Sequence, residues 1–117
     1  MLKTAAELIQ KAQQKISCVD VASAKLLFES VDSSFIIDVR EAEGVVKDKV
    51  TQSIHISRGL LEMKISQHCP HADSIILIHC AGCGRASLAA LTLQNMGYKQ
   101  VYAITADFND IKSTFDS

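Results

Sequence analysis

The sequence predicts an α/β fold in which a mostly parallel sheet is covered by helices on both faces. Strand-like and helix-like segments alternate along the chain, which is typical of parallel strands joined by right-handed crossovers. Residues 75–78 are all apolar, as expected for a strand buried on both faces. A loop containing Gly82 and Gly84 follows, and then an alanine- and leucine-rich segment that favours a helix. With 117 residues, the chain is expected to form one domain over residues 1–117.

The segments before this loop supply most of the predicted elements. In chain order these are a helix over about 5–14, an edge strand over 16–19, a helix from Asp20, a strand over 33–39, a short strand over 54–56 and a helix over 60–67. Thr4 and Glu7 form a capping box for the first helix, and Asp20 is placed to cap the second. Residues 41–53 are polar and show no clear periodicity, so no element is predicted there.

Three further elements are predicted in and after the glycine loop. A helix is expected over residues 86–95, and Gly97 is positioned for a left-handed C-cap. A strand over 100–104 and a helix over 107–115 complete the chain. The apolar side chains of the last helix are expected to face inward: Phe108, Ile111 and Phe115.

The composition limits the kinds of binding partner that are expected. The chain has 12 basic and 13 acidic residues and a formal net charge of -1, so no charge excess favours nucleic acid or an anionic membrane. No apolar run is long enough to span a bilayer, and the N-terminus lacks the apolar core of a signal peptide. The four cysteines do not form a small disulfide scaffold, so we expect a reducing, cytoplasmic setting.

Cys80 is the candidate nucleophile because it follows the buried strand and precedes the next helix. Open α/β sheets bind ligands at the carboxyl ends of their strands, and the N–H groups at a helix N-terminus stabilise a thiolate or an anion. Gly82 and Gly84 would let successive N–H groups turn inward as an anion-binding nest, with Arg85 adding positive charge. The alternative is a buried cysteine that packs as a small apolar residue.

Residues 80–85, with the sequence Cys-Ala-Gly-Cys-Gly-Arg, resemble the active-site loop of the rhodanese family, in which four residues separate cysteine from arginine. Residues 36–41 resemble the family's strand ending in Asp-Val-Arg, and the similarity continues through residues 54–62 and 91–98. The resemblance implies a rhodanese-like three-layer fold with a central, mostly parallel, five-stranded sheet. It also implies a catalytic Cys80 and an anion-binding loop whose residues are Ala81, Gly82, Cys83, Gly84 and Arg85.

The function implied by the resemblance is sulfur transfer. A donor such as thiosulfate would leave a persulfide on Cys80, and cyanide or a thiol, including a protein thiol, would accept the sulfur. No metal and no organic cofactor are required. Asp38 and Arg40 at a strand end are further candidate site residues or, alternatively, a structural ion pair. The resemblance implies that they mainly order the sheet edge near the loop. Arg58 lies where relatives have charged residues near the pocket, although it also suits a solvated surface position.

Three alternatives remain on the sequence. Phosphatases and arsenate reductases have a similar loop but five residues between cysteine and arginine, and a non-catalytic binding module would keep only the fold. Cys80 and Cys83 have Cys-x2-Cys spacing, as in dithiol oxidoreductases. Cys83 could accept sulfur from Cys80, form a disulfide with it, or only fill space. A metal site among His68, Cys69, His71 and the loop is not expected, because no second pair of ligands at zinc-site spacing accompanies Cys80 and Cys83.

Overall fold

The computed structural model describes residues 1–117 and contains one five-stranded sheet with strand order β1-β5-β4-β2-β3. The strands are β1 (Ser17–Val19), β2 (Ser34–Asp38), β3 (Ile54–His55), β4 (Ile75–His79) and β5 (Gln100–Ile104). Every neighbouring pair is parallel, so the predicted mostly parallel five-stranded sheet is confirmed. The crossovers between parallel strands contain the helices.

The helices agree with the sequence pattern except in one segment. They are α1 (Ala5–Lys15), α2 (Val21–Ser30), α3 (Ala42–Lys47), α4 (Leu61–His68), α5 (Gly84–Met96) and α6 (Phe108–Phe115), with a 3-10 turn at Arg58–Leu60. The prediction of no element over 41–53 was wrong, because α3 lies there. This helix buries no residue, so it has no apolar stripe to reveal it. None of the helices has the length and apolarity needed to cross a bilayer.

Helices cover both faces of the sheet, as predicted. Along β4, Ile76 and Ile78 pack with residues of α4 and α5, whereas Ile75 and Leu77 pack with residues of α2 and α6. This alternation follows from the two-residue period of a strand, which sends successive side chains to opposite faces. Helix α1 packs against α5. The result is a three-layer arrangement with one apolar core on each side of the sheet.

The predicted helix ends are present at atomic detail. The hydroxyl of Thr4 accepts a hydrogen bond from the N–H of Glu7 at 3.1 Å, and the Glu7 side chain bonds back to the N–H of Thr4. The carboxylate of Asp20 accepts from the N–H of Ser23 at 2.7 Å. Gly97 ends α5 with a φ of 110°, which is the left-handed conformation that favours glycine.

Candidate active site

Cys80 lies at the edge of the sheet where β2 and β4 end. Asp38 and His79 are in register at this edge, and the N–H of Val39 donates to the carbonyl of His79 at 3.0 Å. Cys80 follows directly and is 1% exposed. Its Sγ accepts a hydrogen bond from the N–H of Ala86 at 3.4 Å. The sulfur therefore faces the first turn of α5, where the sequence places it.

The backbone N–H groups between Cys80 and α5 have no acceptor within the chain. The N–H groups of residues 81–85 make no hydrogen bond to a protein atom, and the next one, from Ala86, donates to Cys80. The carbonyl of Ala81 accepts from the N–H of Phe108 at 3.1 Å, which holds the loop against the start of α6. Ala81 and Gly82 are exposed, so an anion can reach these donors from solvent.

The glycines of the loop do not adopt the conformation expected of an anion-binding nest. Gly97 is the only glycine with positive φ, so neither Gly82 nor Gly84 is left-handed, and that expectation is corrected. The reason is that α5 begins at Gly84, earlier than predicted, which gives Gly84 a helical backbone. The free N–H groups are therefore those of a short turn and a helix N-terminus.

Gly84 packs closely against α1. A Cβ atom at this position would lie 2.9 Å from Cδ1 of Ile9 on α1, whereas a Cβ on Gly82 would meet nothing within 4 Å. A larger residue at this position would therefore have to displace the end of the Ile9 side chain.

Arg85 adds a cation on the first turn of α5. Its side chain is half-buried and takes part in none of the chain's ion pairs. A guanidinium left free beside unpaired N–H groups makes the loop electropositive. The contiguous residues from Cys80 to Arg85 thus bring together a buried sulfur, unpaired backbone N–H groups and one guanidinium without an ion-pair partner.

Cys83 contacts a residue that sequence reasoning missed. Nε2 of Gln13 on α1 lies 3.5 Å from Sγ of Cys83 and 3.1 Å from Oγ of Ser87. Oγ of Ser87 donates in turn to the carbonyl of Cys83 at 2.7 Å. The signal for Gln13 in the sequence is weak: it follows Ile9 by four residues, on the helix face that meets α5. Helix α1 thereby becomes part of the wall of the site.

Asp38 and Arg40 form a buried ion pair at the end of β2. Nε of Arg40 lies 3.1 Å from both carboxylate oxygens of Asp38, and Nη2 lies 2.8 Å from one of them. Arg40 also donates to the carbonyls of Gly44 and Asp48, and its guanidinium lies 3.9 Å from the centroid of the Phe108 ring. Burial raises the pKa of Asp38. The hydrogen bonds from Arg40 and the nearby positive charge together lower it by more, so the net shift is downward. The pair fastens α3 and α6 to the sheet edge.

His79 lies behind the loop, on the sheet face opposite Cys80. It is fully buried, and neither ring nitrogen has a hydrogen-bond partner. Nε2 is 3.9 Å from a carboxylate oxygen of Asp38, and the ring stacks at a tilt with Phe108 at a centroid distance of 6.1 Å. Burial lowers the pKa of His79 and outweighs the opposing effect of Asp38. His79 is therefore held neutral near pH 7.

The Arg58 side chain bonds to residues outside the Cys80 loop. Nη1 lies 3.1 Å from the carboxylate of Glu62, and Nη2 lies 2.9 Å from the hydroxyl of Thr92. Thr92 is about 12 Å along α5 from Gly84 at the usual helical rise. The structure thus ties Arg58 to the middle of α5 and leaves it outside the hydrogen bonds of the Cys80 loop.

The cavities of the molecule also lie away from Cys80. Three are present, of about 420, 330 and 270 Å³. None is lined by a residue of the 80–85 loop. No group of three or more His, Cys, Asp or Glu side chains is arranged to hold a metal ion. The candidate site is therefore an open loop at the surface.

Solved structures share this fold. A protein of unknown function from Rhodopseudomonas palustris CGA009, described as a possible tyrosine phosphatase, is 26% identical with a TM-score of 0.81, covering 97% of this chain and 92% of that one. The polysulfide-sulfur transferase homodimer of Wolinella succinogenes is 22% identical with a TM-score of 0.71, covering 87% and 77%. A rhodanese with anions from E. coli is 24% identical with a TM-score of 0.62, covering 67% and 91%.

Family membership follows from the sequence match. Among curated proteins, none is similar enough to count as a match. The sequence model of the rhodanese-like domain matches residues 20–114, which leaves α1 and β1 before the matched segment. The resemblance noted from the motifs is confirmed by this match and by the shared fold. The chain belongs to the rhodanese-like domain family.

Proposed function

We propose that this chain is a sulfurtransferase that carries a sulfane sulfur as a persulfide on Cys80. The observation that carries the proposal is the set of unpaired N–H groups over residues 81–85, together with the N–H of Ala86 on the sulfur. A terminal persulfide sulfur is anionic and needs such donors once it leaves water. Arg85 supplies the matching positive charge at the same loop.

The reaction has two displacements. The Cys80 thiolate attacks the outer sulfur of thiosulfate, and the S–S bond of the donor breaks with release of sulfite. The sulfur that remains on Cys80 is held by the loop N–H groups. An acceptor thiolate or cyanide then attacks this outer sulfur, and Cys80 leaves as a thiolate. The electron pairs balance in each step, so the scheme requires neither a metal nor a cofactor.

Phosphate-ester hydrolysis is the second candidate, because the Rhodopseudomonas palustris structure is described as a possible tyrosine phosphatase. The loop of this chain has four residues between Cys80 and Arg85, whereas the phosphatase loops that it resembles have five. The shorter ring leaves less room for a tetrahedral phosphate and favours a single sulfur atom. The polysulfide-sulfur transferase of Wolinella succinogenes supports sulfur chemistry on this fold.

Intact-mass analysis after brief exposure to thiosulfate tests the proposal. The wild type and the Ser17→Ala control are expected to load sulfur in a cyanide-sensitive form, and Cys80→Ser is expected to gain none. The proposal would be refuted if neither the wild type nor Ser17→Ala gained sulfur from thiosulfate or polysulfide. Hydrolysis of p-nitrophenyl phosphate that depends on Cys80, without sulfur loading, would establish the second candidate.

A further inference from the structure

We propose that Cys18 and Cys83 form a dithiol that takes the sulfane sulfur from Cys80 and releases it as hydrosulfide. This inference rests on the proposed function and names hydrosulfide as the product that the chain releases. The pair would let the domain discharge its persulfide without waiting for an external thiol.

The strand order brings Cys18 to the same end of the sheet as the Cys80 loop. Cys18 is in register with Ala103 of β5, which is in register with Ile78 of β4. Two strand spacings separate Cys18 from Ile78, or about 10 Å. Cys80 and the loop that contains Cys83 follow directly after β4. Residues far apart in the chain therefore lie at the same edge of the sheet, two strands apart.

Cys18 also shares the sheet face on which α5 begins. Ile16 packs into the core beneath α5, whereas Val19 packs into the core on the other face. Successive strand residues alternate between faces, so Cys18 is on the same side as Ile16. The segment with Cys83 crosses this side to enter α5, and Gln13 of α1 contacts Cys83 there.

The electrostatics of Cys18 agree with this placement. Partial burial raises the pKa of Cys18, and a negative charge on Cys83 raises it further. Cys18 is exposed and Cys83 is half-buried, so both are accessible to reaction. The amide of Gln13 donates toward Cys83 and would stabilise a thiolate or persulfide on it.

The steps balance without an added oxidant. The Cys83 thiolate attacks the outer sulfur of the Cys80 persulfide, and Cys80 leaves as a thiolate. The Cys18 thiolate then attacks Sγ of Cys83, the S–S bond to the outer sulfur breaks, and hydrosulfide leaves. Two thiols are oxidised to a Cys18–Cys83 disulfide while the sulfane sulfur is reduced to sulfide. An external thiol reduces the disulfide and resets the pair.

A single-turnover experiment under anaerobic conditions tests this sequence. Reduced protein is loaded with thiosulfate, desalted, and incubated without thiols. The wild type and Ser17→Ala are expected to release hydrosulfide and to end two hydrogens lighter than the reduced protein, with one cross-linked Cys18–Cys83 peptide. Cys18→Ser and Cys83→Ser are expected to keep the extra sulfur and to release no hydrosulfide. Because Cys18 is exposed, the serine variant changes no core contact.

The outcomes separate the two proposals. Stable loading of Cys18→Ser on Cys80 supports the proposed function whatever the wild type does. Loading of the wild type without hydrosulfide release, or release from Cys18→Ser at the wild-type rate, overturns only the dithiol step. Failure of every Cys80-containing protein to load overturns both.

Discussion

Ile9 of α1 places its Cδ1 atom 2.9 Å from the position that a Cβ atom on Gly84 would occupy. Gly84 is the first residue of α5, and the first turn of α5 supplies the N–H groups of residues 84–86 to the candidate site. Gln13, one turn after Ile9, contacts Cys83 in the same loop. A helix that precedes the residues matched by the family therefore packs against the candidate active-site loop.

Gly84→Ala is expected to lower the free energy of unfolding by about 1 kcal/mol, because Cδ1 of Ile9 must move to admit the methyl group. In an Ile9→Val background that atom is absent, and the same substitution should be neutral or stabilising because alanine favours a helix. Urea unfolding of the four proteins gives the coupling energy. An equal effect in both backgrounds would contradict the contact.

Asp38→Asn is expected to destabilise the fold by about 3 to 5 kcal/mol, because it leaves the Arg40 guanidinium buried without its counter-ion. Arg40 is only 6% exposed, so water cannot replace the carboxylate. The matched control is Glu62→Gln, which breaks the exposed Arg58–Glu62 pair and should cost less than about 1 kcal/mol. Denaturant unfolding compares the two, and similar losses would show that the Asp38–Arg40 pair is not structural.

The free energy of unfolding should fall as the pH is lowered below 6.5, the ordinary pKa of histidine. The folded protein holds His79 neutral because its pKa is lowered, whereas the unfolded chain takes up a proton there. The unfolded state therefore binds more protons, and acid favours it until the pH passes the folded-state pKa. His79→Leu is expected to remove this slope, measured by urea unfolding at several pH values.

A control variant and the separate titration of Asp38 distinguish the effect of His79 from that of other groups. The exposed His71 serves as control, and His71→Gln should keep the slope. A separate loss remains in both variants at lower pH: the pKa of Asp38 is lowered from 3.8, so its stabilisation is present above that value and disappears as the pH falls through the folded-state pKa. A wild-type slope in His79→Leu would assign the effect to another group.

Cys69 should resist alkylation in the folded protein. Burial raises its pKa to about 11, so almost none of it is thiolate at pH 8. Iodoacetamide should alkylate the exposed Cys18 and leave Cys69 unmodified until urea unfolds the chain. Peptide mapping identifies the alkylated cysteines. Labelling of both at one rate in native buffer would mean that Cys69 is not buried as described.

Local features were predictable because nearby residues decide them. The capping residues Thr4, Asp20 and Gly97 act within one helical turn, and each is found in its predicted role. The apolar run of β4 is buried at every position. Helix α3 was missed because it buries nothing and so leaves no periodic pattern. A periodic apolar pattern arises where one face of a helix is buried. A short exposed helix has no such face, so its sequence shows no pattern.

The sequence by itself determined the α/β class, the strand–loop–helix around Cys80 and the family to which the chain belongs, since these depend on motifs of a few adjacent residues. Tertiary structure decided the surroundings of the loop: Ile9 against Gly84, Gln13 on Cys83, the unpaired ring of His79, and the position of Cys18 at the same end and face of the sheet as the loop. These contacts depend on the strand order, in which β1 lies beside β5 and not beside β2. Such pairings arise from burying the whole sheet at once, which no local preference encodes.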